Sequence, residues 1–303
     1  MVIIKVVGGL GNQLFQYAFG KAIEEKYGYD VKYDFSYYEN IPEGDTARKV
    51  FVSRYIPSHK LATKDDILKI TKWDKSAWKK VLKRLGLTEY RTKYERPVDG
   101  VTSIEQVKDN TLLIGYWQSE EYFSNVCDKI REEFSFENDI QSPGMKALAE
   151  KIKSSDSVSI HVRGGDYLLS QNQEIFGGIC TSEYYEEAYA YMKKKNPASK
   201  FFLFTNDMEW TKKNIHLPYE EITMVSEEYE ATEDWMDLYL MSICKDNIIA
   251  NSSYSWWAAW LNQHMNKTVI CPYKWTSDGK HSDIFCMTWV KMSGKGDFSK
   301  NEG

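Results

Sequence analysis

Long apolar runs are missing from this chain. No stretch approaches the ~20 residues that a membrane-crossing helix requires, so a helical membrane span is excluded. The opening MVIIKVVGG runs straight into a glycine loop, without the charged-then-apolar layout of a secretory leader. Cysteine is sparse too. Cys127, Cys180, Cys244, Cys271 and Cys286 are odd in number, widely spaced and free of any C-x-x-C pair, which argues against a disulfide framework and a zinc site. Two sequons, Asn251-Ser252-Ser253 and Asn266-Lys267-Thr268, would go unused without a secretory route. From these absences a cytoplasmic protein is expected, either free or peripheral at an inner membrane.

Excess positive charge is also lacking. The net charge is -5, so the chain offers no general polyanion surface, and nucleic acid is not an expected partner. No Ser-His-Asp or Cys-His spacing points to a nucleophile. No Asp-x-Asp triplet is present; the nearest approach is Asp207-Met208-Glu209. An enzyme that neutralises a diphosphate with a divalent cation usually carries one, so no metal is expected. What is abundant is aromatic residues, with 21 Tyr and 10 Trp, which suit stacking on sugars and bases and also fill cores. At 303 residues the chain is long enough for two domains of ~150 residues.

Taken in order, Val2–Val7 is a buried-strand pattern that meets the loop GGLGNQ, after which apolar residues recur at helical spacing from Leu14 to Ile23. This is strand, glycine loop, helix. The glycines let backbone approach a ligand, and the helix start offers unpaired N–H groups. Gly9 and Gly11 imitate G-x-G-x-x-G, but the third glycine is missing and no Walker Lys-Ser/Thr follows, so a dinucleotide fingerprint is weak. Tyr29–Phe35 alternates as a second strand. Two Lys-rich helical segments (63–71 and 75–86) follow, then a strand at Thr111–Trp117 and an amphipathic helix at Glu120–Phe134. The polar stretch Asn138–Gly144, with Pro143, divides the chain into domains 1–142 and 143–303.

The second half alternates strands (158–162, 201–204, 222–225, 247–250, 268–271) with helices (181–195, 233–243, 254–264), which predicts an α/β fold with a mostly parallel sheet. The tail from about 293 is expected to fray. Three strand ends deliver polar groups: His161, Arg163 and Asp166; Asn206 and Asp207; Asn251, Ser252 and Ser253, with Ser255 one residue beyond Tyr254. In a parallel sheet these line one rim, where such sheets bind ligands. A guanidinium there suits a diphosphate; an Arg–Asp pair steadying the Gly164-Gly165 turn is the alternative. The polar run 251–255 opens the apolar helix containing Trp256, Trp257 and Trp260. Capping explains one such residue, whereas four suit phosphate at a positive helix end. Asp237, among apolar neighbours, either accepts from a guanine edge or is an exposed helix-face carboxylate.

Five motifs, GGLGNQLFQYAFG, GYWQSEEYF, HVRGGDY, FTND and NSSYSWWAAWL, resemble in order those of the bacterial α-1,2-fucosyltransferases of glycosyltransferase family 11, related to the α-1,6- and protein O-fucosyltransferases. The resemblance implies a GT-B architecture of two Rossmann-like domains facing across a cleft, and an inverting, metal-independent transfer of fucose from GDP-fucose to the 2-hydroxyl of a terminal galactoside. Arg163, Asn12 and Asp166 would then be catalytic. His161, Arg163, Asn206, Asp207, Asp237, Asn251, Ser252, Ser253, Ser255, Gly9 and Gly11 would bind the donor, and Asn12 and Gln13 would meet the glycan acceptor. Trp117, Gln118 and Tyr122 are further acceptor candidates by their position after a first-domain strand; core packing of Trp117 and Tyr122 is the alternative. One departure stands out: the pattern usually reads H-x-R-R-x-D, and this chain has Gly164 at the second Arg. The rivals are a fucosyltransferase of another linkage or a nucleotide- or glycan-binding protein without turnover.

Overall fold

The central β-strands are short and mostly buried, as parallel strands covered on both faces should be. A computed structural model describes the chain except residues 43–46, 79–81, 83–84, 86–87, 96–99, 141, 165–173, 230, 280–281, 295–297 and 301–303. It divides into two compact units, Met1–Glu133 and Phe134–Gly303.

The first unit carries β1 (Val2–Lys5), α1 (Leu10–Tyr27), β2 (Val31–Asp34), α2 (Lys64–Lys75), β3 (Thr92–Tyr94), β4 (Thr111–Ile114) and α3 (Cys127–Glu133). Its sheet has the order β2-β1-β4-β3, with every pairing parallel. Strand order therefore reverses between β1 and β4. In open α/β sheets ligands bind where that reversal splays the loops apart. Helix α2 begins with a capping box in which Thr63 and Asp66 satisfy each other's amides. Half of the second Lys-rich segment, 75–86, lies outside the described residues.

One expectation fails here. Glu120–Phe134 is not one amphipathic helix but a 3₁₀ stretch, Glu120–Val126, followed by α3. Backbone at Phe123 leaves helical geometry (φ -133°). The aromatic rings account for the break: Tyr122 packs edge-on to Phe19 (5.2 Å between centroids) and Phe123 to Phe15 (6.2 Å). Both rings turn inward onto α1 instead of following a regular helical stripe.

The second unit contains α4 (Pro143–Lys153), β5 (Ser157–Val162), α5 (Ser182–Lys195), β6 (Lys200–Thr205), α6 (Met208–Asn214), β7 (Ile222–Met224), α7 (Asp234–Ser242), β8 (Asp246–Ile248), α8 (Ser253–Leu261), β9 (Val269–Pro272), β10 (Val290–Met292) and β11 (Phe298–Lys300). The sheet order is β11-β10-β9-β8-β5-β6-β7, parallel throughout except for β10–β11. The tail expected to fray thus contributes an edge strand, since Phe298–Lys300 pairs antiparallel with Val290–Met292. β6 and β7 extend one side of β5, and β8 returns to the other. The order reverses at β5.

All six residues of β5 are buried. Val158, Ile160 and Val162 join Phe201, Leu203, Ile248 and Ile270 beneath Tyr184, Tyr185 and Ala188 of α5. The alternate positions are polar. Asn247 Nδ2 donates to Ser159 Oγ (2.7 Å) and to Met241 O (2.8 Å), and Asn262 Nδ2 donates to Asn247 Oδ1 (2.8 Å) and Cys244 O (2.8 Å). This network ties the end of α7 and the end of α8 to the sheet, so neither helix can slide without stranding a buried polar group.

Gly20 lies inside α1, where a helical glycine ordinarily costs ~1 kcal/mol relative to Ala. Here a Cβ would meet the buried Tyr33 ring, with Cζ at 2.8 Å. Gly20→Ala should therefore destabilise the protein by about 1–3 kcal/mol, reversing the usual sign. Urea denaturation of the two proteins decides it, and a stabilised variant would refute the packing.

Candidate functional site

Parallel register sets the heights at which the loops leave the second sheet. Ile160 is paired with Ile248 and Val162 with Thr205, so the exits of β5, β6 and β8 lie side by side at the reversal. Arg163, Asn206–Asp207 and Asn251–Ser253 are carried on those exits. Asn206 grips the β5 exit at two points: Gly164 N donates to Asn206 Oδ1 (2.9 Å), and Asn206 Nδ2 donates to Gly164 O (3.2 Å). The peptide after the half-buried Arg163 is thereby fixed on both sides. Asp207 caps α6 by accepting from Trp210 N (2.9 Å). Trp210 in turn packs on Gly164, where a Cβ would lie 2.9 Å from its Cε3 and 3.4 Å from Asp207 Cβ. Glycine at 164 is a matter of space. Asp166 lies outside the described residues.

The third exit divides its labour. Asn251 is buried; its Nδ2 donates to Phe176 O (3.0 Å) and Trp275 O (3.1 Å), and its Oδ1 accepts from Cys180 Sγ (3.4 Å). Burial pushes that Cys180 thiol up to about 12, so it stays a neutral donor. Ser255 is fully buried and donates back to Ala250 O and Ser252 O. These two side chains hold the loop together. Ser252 sits at the N-cap of α8 without its hydroxyl accepting a helix amide, and Ser253 begins the helix half-exposed. The first-turn amides of α8 form the electropositive end of a helix packed with Trp256, Trp257 and Trp260.

Next to this rim lies a polar aromatic patch. The His161 ring faces Tyr254 at 5.5 Å, and Tyr185 Oη donates to His161 O (3.0 Å). Tyr254 Oη donates to Asp234 O, and Tyr229 Oη donates to Asp237 Oδ1 (3.0 Å). Burial pushes the Asp237 carboxyl up to about 6; the Tyr229 hydrogen bond opposes that rise and the neighbouring Asp234 adds to it. Asp237 is thus no exposed helix-face carboxylate. It is a half-buried acceptor poised to ionise near neutral pH.

In the first unit, the reversal between β1 and β4 is bridged by amide side chains. Gln16 Oε1 accepts from Val7 N (3.0 Å) while its Nε2 donates to Gly115 O (2.9 Å). Gln118 Nε2 donates to Asn12 Oδ1 (2.7 Å), which brings these two expected site residues together. Gln13, by contrast, is fully buried. It donates to Gly8 O and Lys49 O and accepts from Phe51 N and Val52 N, so its amide braces the glycine loop. Trp117 and Tyr122 are buried as well, Trp117 stacked on Phe19 at 4.6 Å and edge-on to Tyr122 at 5.6 Å. Of the glycines in this loop, Gly8 is the one the backbone demands: its φ is +82°, and a Cβ there would meet Asn12 Nδ2 at 2.6 Å. At Gly9 the nearest neighbour is Arg48 Cδ, at 3.9 Å, and Gly11 is buried inside α1.

Sequence reasoning passed over Gln16, Glu95, Tyr229 and Tyr254. Gln16 had a signal, being one of two glutamines three residues apart on an otherwise apolar helix face. Glu95, which accepts from Tyr116 N (2.7 Å) and Trp117 N (2.8 Å), had none.

The chain was compared with known families, curated proteins and solved structures. A model of glycosyl transferase family 11 matches residues 1–293. The alpha-1,2-colitosyltransferase of Escherichia coli is 31% identical, over 91% of this chain and 92% of its own length. Human galactoside alpha-(1,2)-fucosyltransferase 1 is 29% identical over 49% of this chain and 42% of its own. Among solved structures, the Bradyrhizobium alpha-1,6-fucosyltransferase NodZ soaked with GDP-fucose aligns with a TM-score of 0.40 at 17% identity, covering 86% of this chain and 92% of that one.

The raised Asp237 pKa has a thermodynamic sign. An unfolded Asp titrates near 3.9, below the folded value of about 6, so this group's stability contribution is full below about pH 4 and is lost as pH rises through about 6. The loss is on the order of 3 kcal/mol. Asp237→Asn should flatten that limb of a urea-midpoint-versus-pH profile. Parallel profiles for the two proteins would contradict the burial of this carboxyl.

Proposed function

The chain belongs to glycosyl transferase family 11, and from that premise we propose that it transfers a fucose-type L-sugar from a guanosine diphosphate carrier to the 2-hydroxyl of a galactoside. The observation that carries the reading is the β5 exit: Arg163 follows the strand at the sheet's reversal point, next to the Gly164 backbone held by Asn206, and the neighbouring β8 exit leads into the amino end of α8. Donor binding is assigned to the second unit. Arg163 and the first-turn amides of α8, with Ser252 and Ser253, take the diphosphate. Asp237, in its ionised form, accepts from the N1–H and amino group of guanine, with His161 and Tyr254 alongside. No Asp-x-Asp triplet is available to hold a cation, which favours a metal-free mechanism.

In the transfer, the acceptor oxygen forms a bond to the anomeric carbon as the bond from that carbon to the β-phosphate oxygen breaks. The electron pair leaves with GDP, the hydroxyl proton is released, and the anomeric centre inverts from β to α. Negative charge grows on the departing phosphate, so donors already aimed there supply the largest share of rate enhancement. Asn206 acts through Arg163: a guanidinium on a fixed peptide needs no reorganisation as the charge develops.

A second donor has specific support. The Escherichia coli relative is named for colitose, which is fucose lacking its 3-hydroxyl, and both that relative and the human one are named for α-1,2 linkages. The deciding assay offers GDP-fucose and GDP-colitose, each with lactose and with N-acetyllactosamine, and reads product linkage by NMR. An α-1,2 product from either donor supports the proposal. GDP release from neither would sink it.

Two variants test the mechanism. Arg163→Ala should lower kcat by about 10²–10³ with a smaller change in donor KM. Asn206→Ala should lower kcat about ten-fold, yet cost little when Arg163 is already Ala, because the two act as a unit. Additive losses in the double variant would remove Asn206 from the mechanism.

A further inference from the structure

The exit from β4 in the first unit is built to present one side chain. Gln16 holds Gly115 O, the Glu95 carboxylate takes the amides of Tyr116 and Trp117, and Gln118 is tied to Asn12. Within this short loop Trp117 adopts φ +55°, a left-handed conformation that bulky side chains avoid unless their surroundings over-determine it. Its indole is sunk into the core on Phe19, and its Nε1 has no hydrogen-bond partner among the described residues. The strained residue works as an anchor. Because Trp117 goes in, its neighbour Tyr116 comes out, and Tyr116 is 46% exposed.

Tyr116 stands at the carboxyl edge of the sheet, where the order of strands reverses between β1 and β4. Its phenol lies close enough to that of Tyr38 to help raise the latter's pKa, although burial is the main cause. Tyr38 Oη itself donates to Gly8 O (2.7 Å), and Gln118, two residues beyond Tyr116 on the same loop, is tied to Asn12 at the start of α1.

We infer that the Tyr116 ring is the platform on which the acceptor's pyranose ring stacks, with the Asn12–Gln118 amides at its edge hydrogen-bonding the sugar hydroxyls. This rests on the glycosyl transfer proposed above. A β-galactoside suits the platform, since its C3, C4 and C5 hydrogens form one apolar face while its hydroxyls project around the rim. An aromatic ring held rigid in advance loses little entropy on binding. The assignment moves the aromatic acceptor contact from Trp117 and Tyr122, which the fold buries, to the residue beside them.

The experiment compares wild type, Tyr116→Ala and Tyr116→Trp, using lactose and whichever of the two sugar nucleotides turns over. Lactose KM is measured at saturating donor, and donor hydrolysis is measured without acceptor. Tyr116→Ala should raise lactose KM about ten-fold or more, leave acceptor-free hydrolysis unchanged, and be rescued by Tyr116→Trp. An unchanged lactose KM, or a parallel loss of hydrolysis, overturns the platform while leaving glycosyl transfer intact. Absence of turnover in wild type overturns the functional reading itself, and the platform with it.

Discussion

The register of β5 is the constraint on which the second unit depends. This strand has parallel neighbours on both sides, and its alternating sequence sends Val158, Ile160 and Val162 to one face and Ser157, Ser159 and His161 to the other. Both faces are buried, but they are not interchangeable. A slip of one residue would drive Ser159 and His161 into an apolar cluster and strand Asn247 without its hydroxyl partner. Fixing the register also fixes where the strand ends, and so where the backbone of Arg163 leaves the sheet.

Both units solve the same problem at their reversal points. Where strand order switches, two loops leave the sheet without helical support, and each needs a brace. The chain supplies neutral amides for this: Gln13 and Gln16 in the first unit, and Asn206 and Asn251 in the second. An amide offers donors and an acceptor in one plane, so a single side chain can satisfy an N–H and a C=O together. It does so without the desolvation cost of a charge. Ionisable groups such as Asp237 are then left to the rim.

Much of this arrangement was legible in the sequence because it obeys short-range rules. Alternation marked β5, and apolar spacing marked α1, α5 and α7. The βα series implied parallel pairing, which carries the three exits of the second unit to one edge. What stayed hidden depends on distant partners. β3, with exposed and half-exposed residues, has no hydrophobic signature, and β10 and β11 are three residues each. Gln13 reads as a ligand contact until the Lys49–Val52 segment folds over it. Trp117 and Tyr116 are adjacent aromatics of equal promise. Only the left-handed backbone at 117, held by Glu95 just past the end of β3, decides which of them meets solvent.

Trp210 lies across the position where the resembling enzymes carry a second arginine. With that indole in place, no side chain larger than hydrogen fits at 164 unless the ring first moves, and the ring is seated on the core of the unit. The two positions are therefore sterically coupled: a long side chain at 164 needs a smaller residue, or a displaced ring, at 210, so the pair can only be exchanged together.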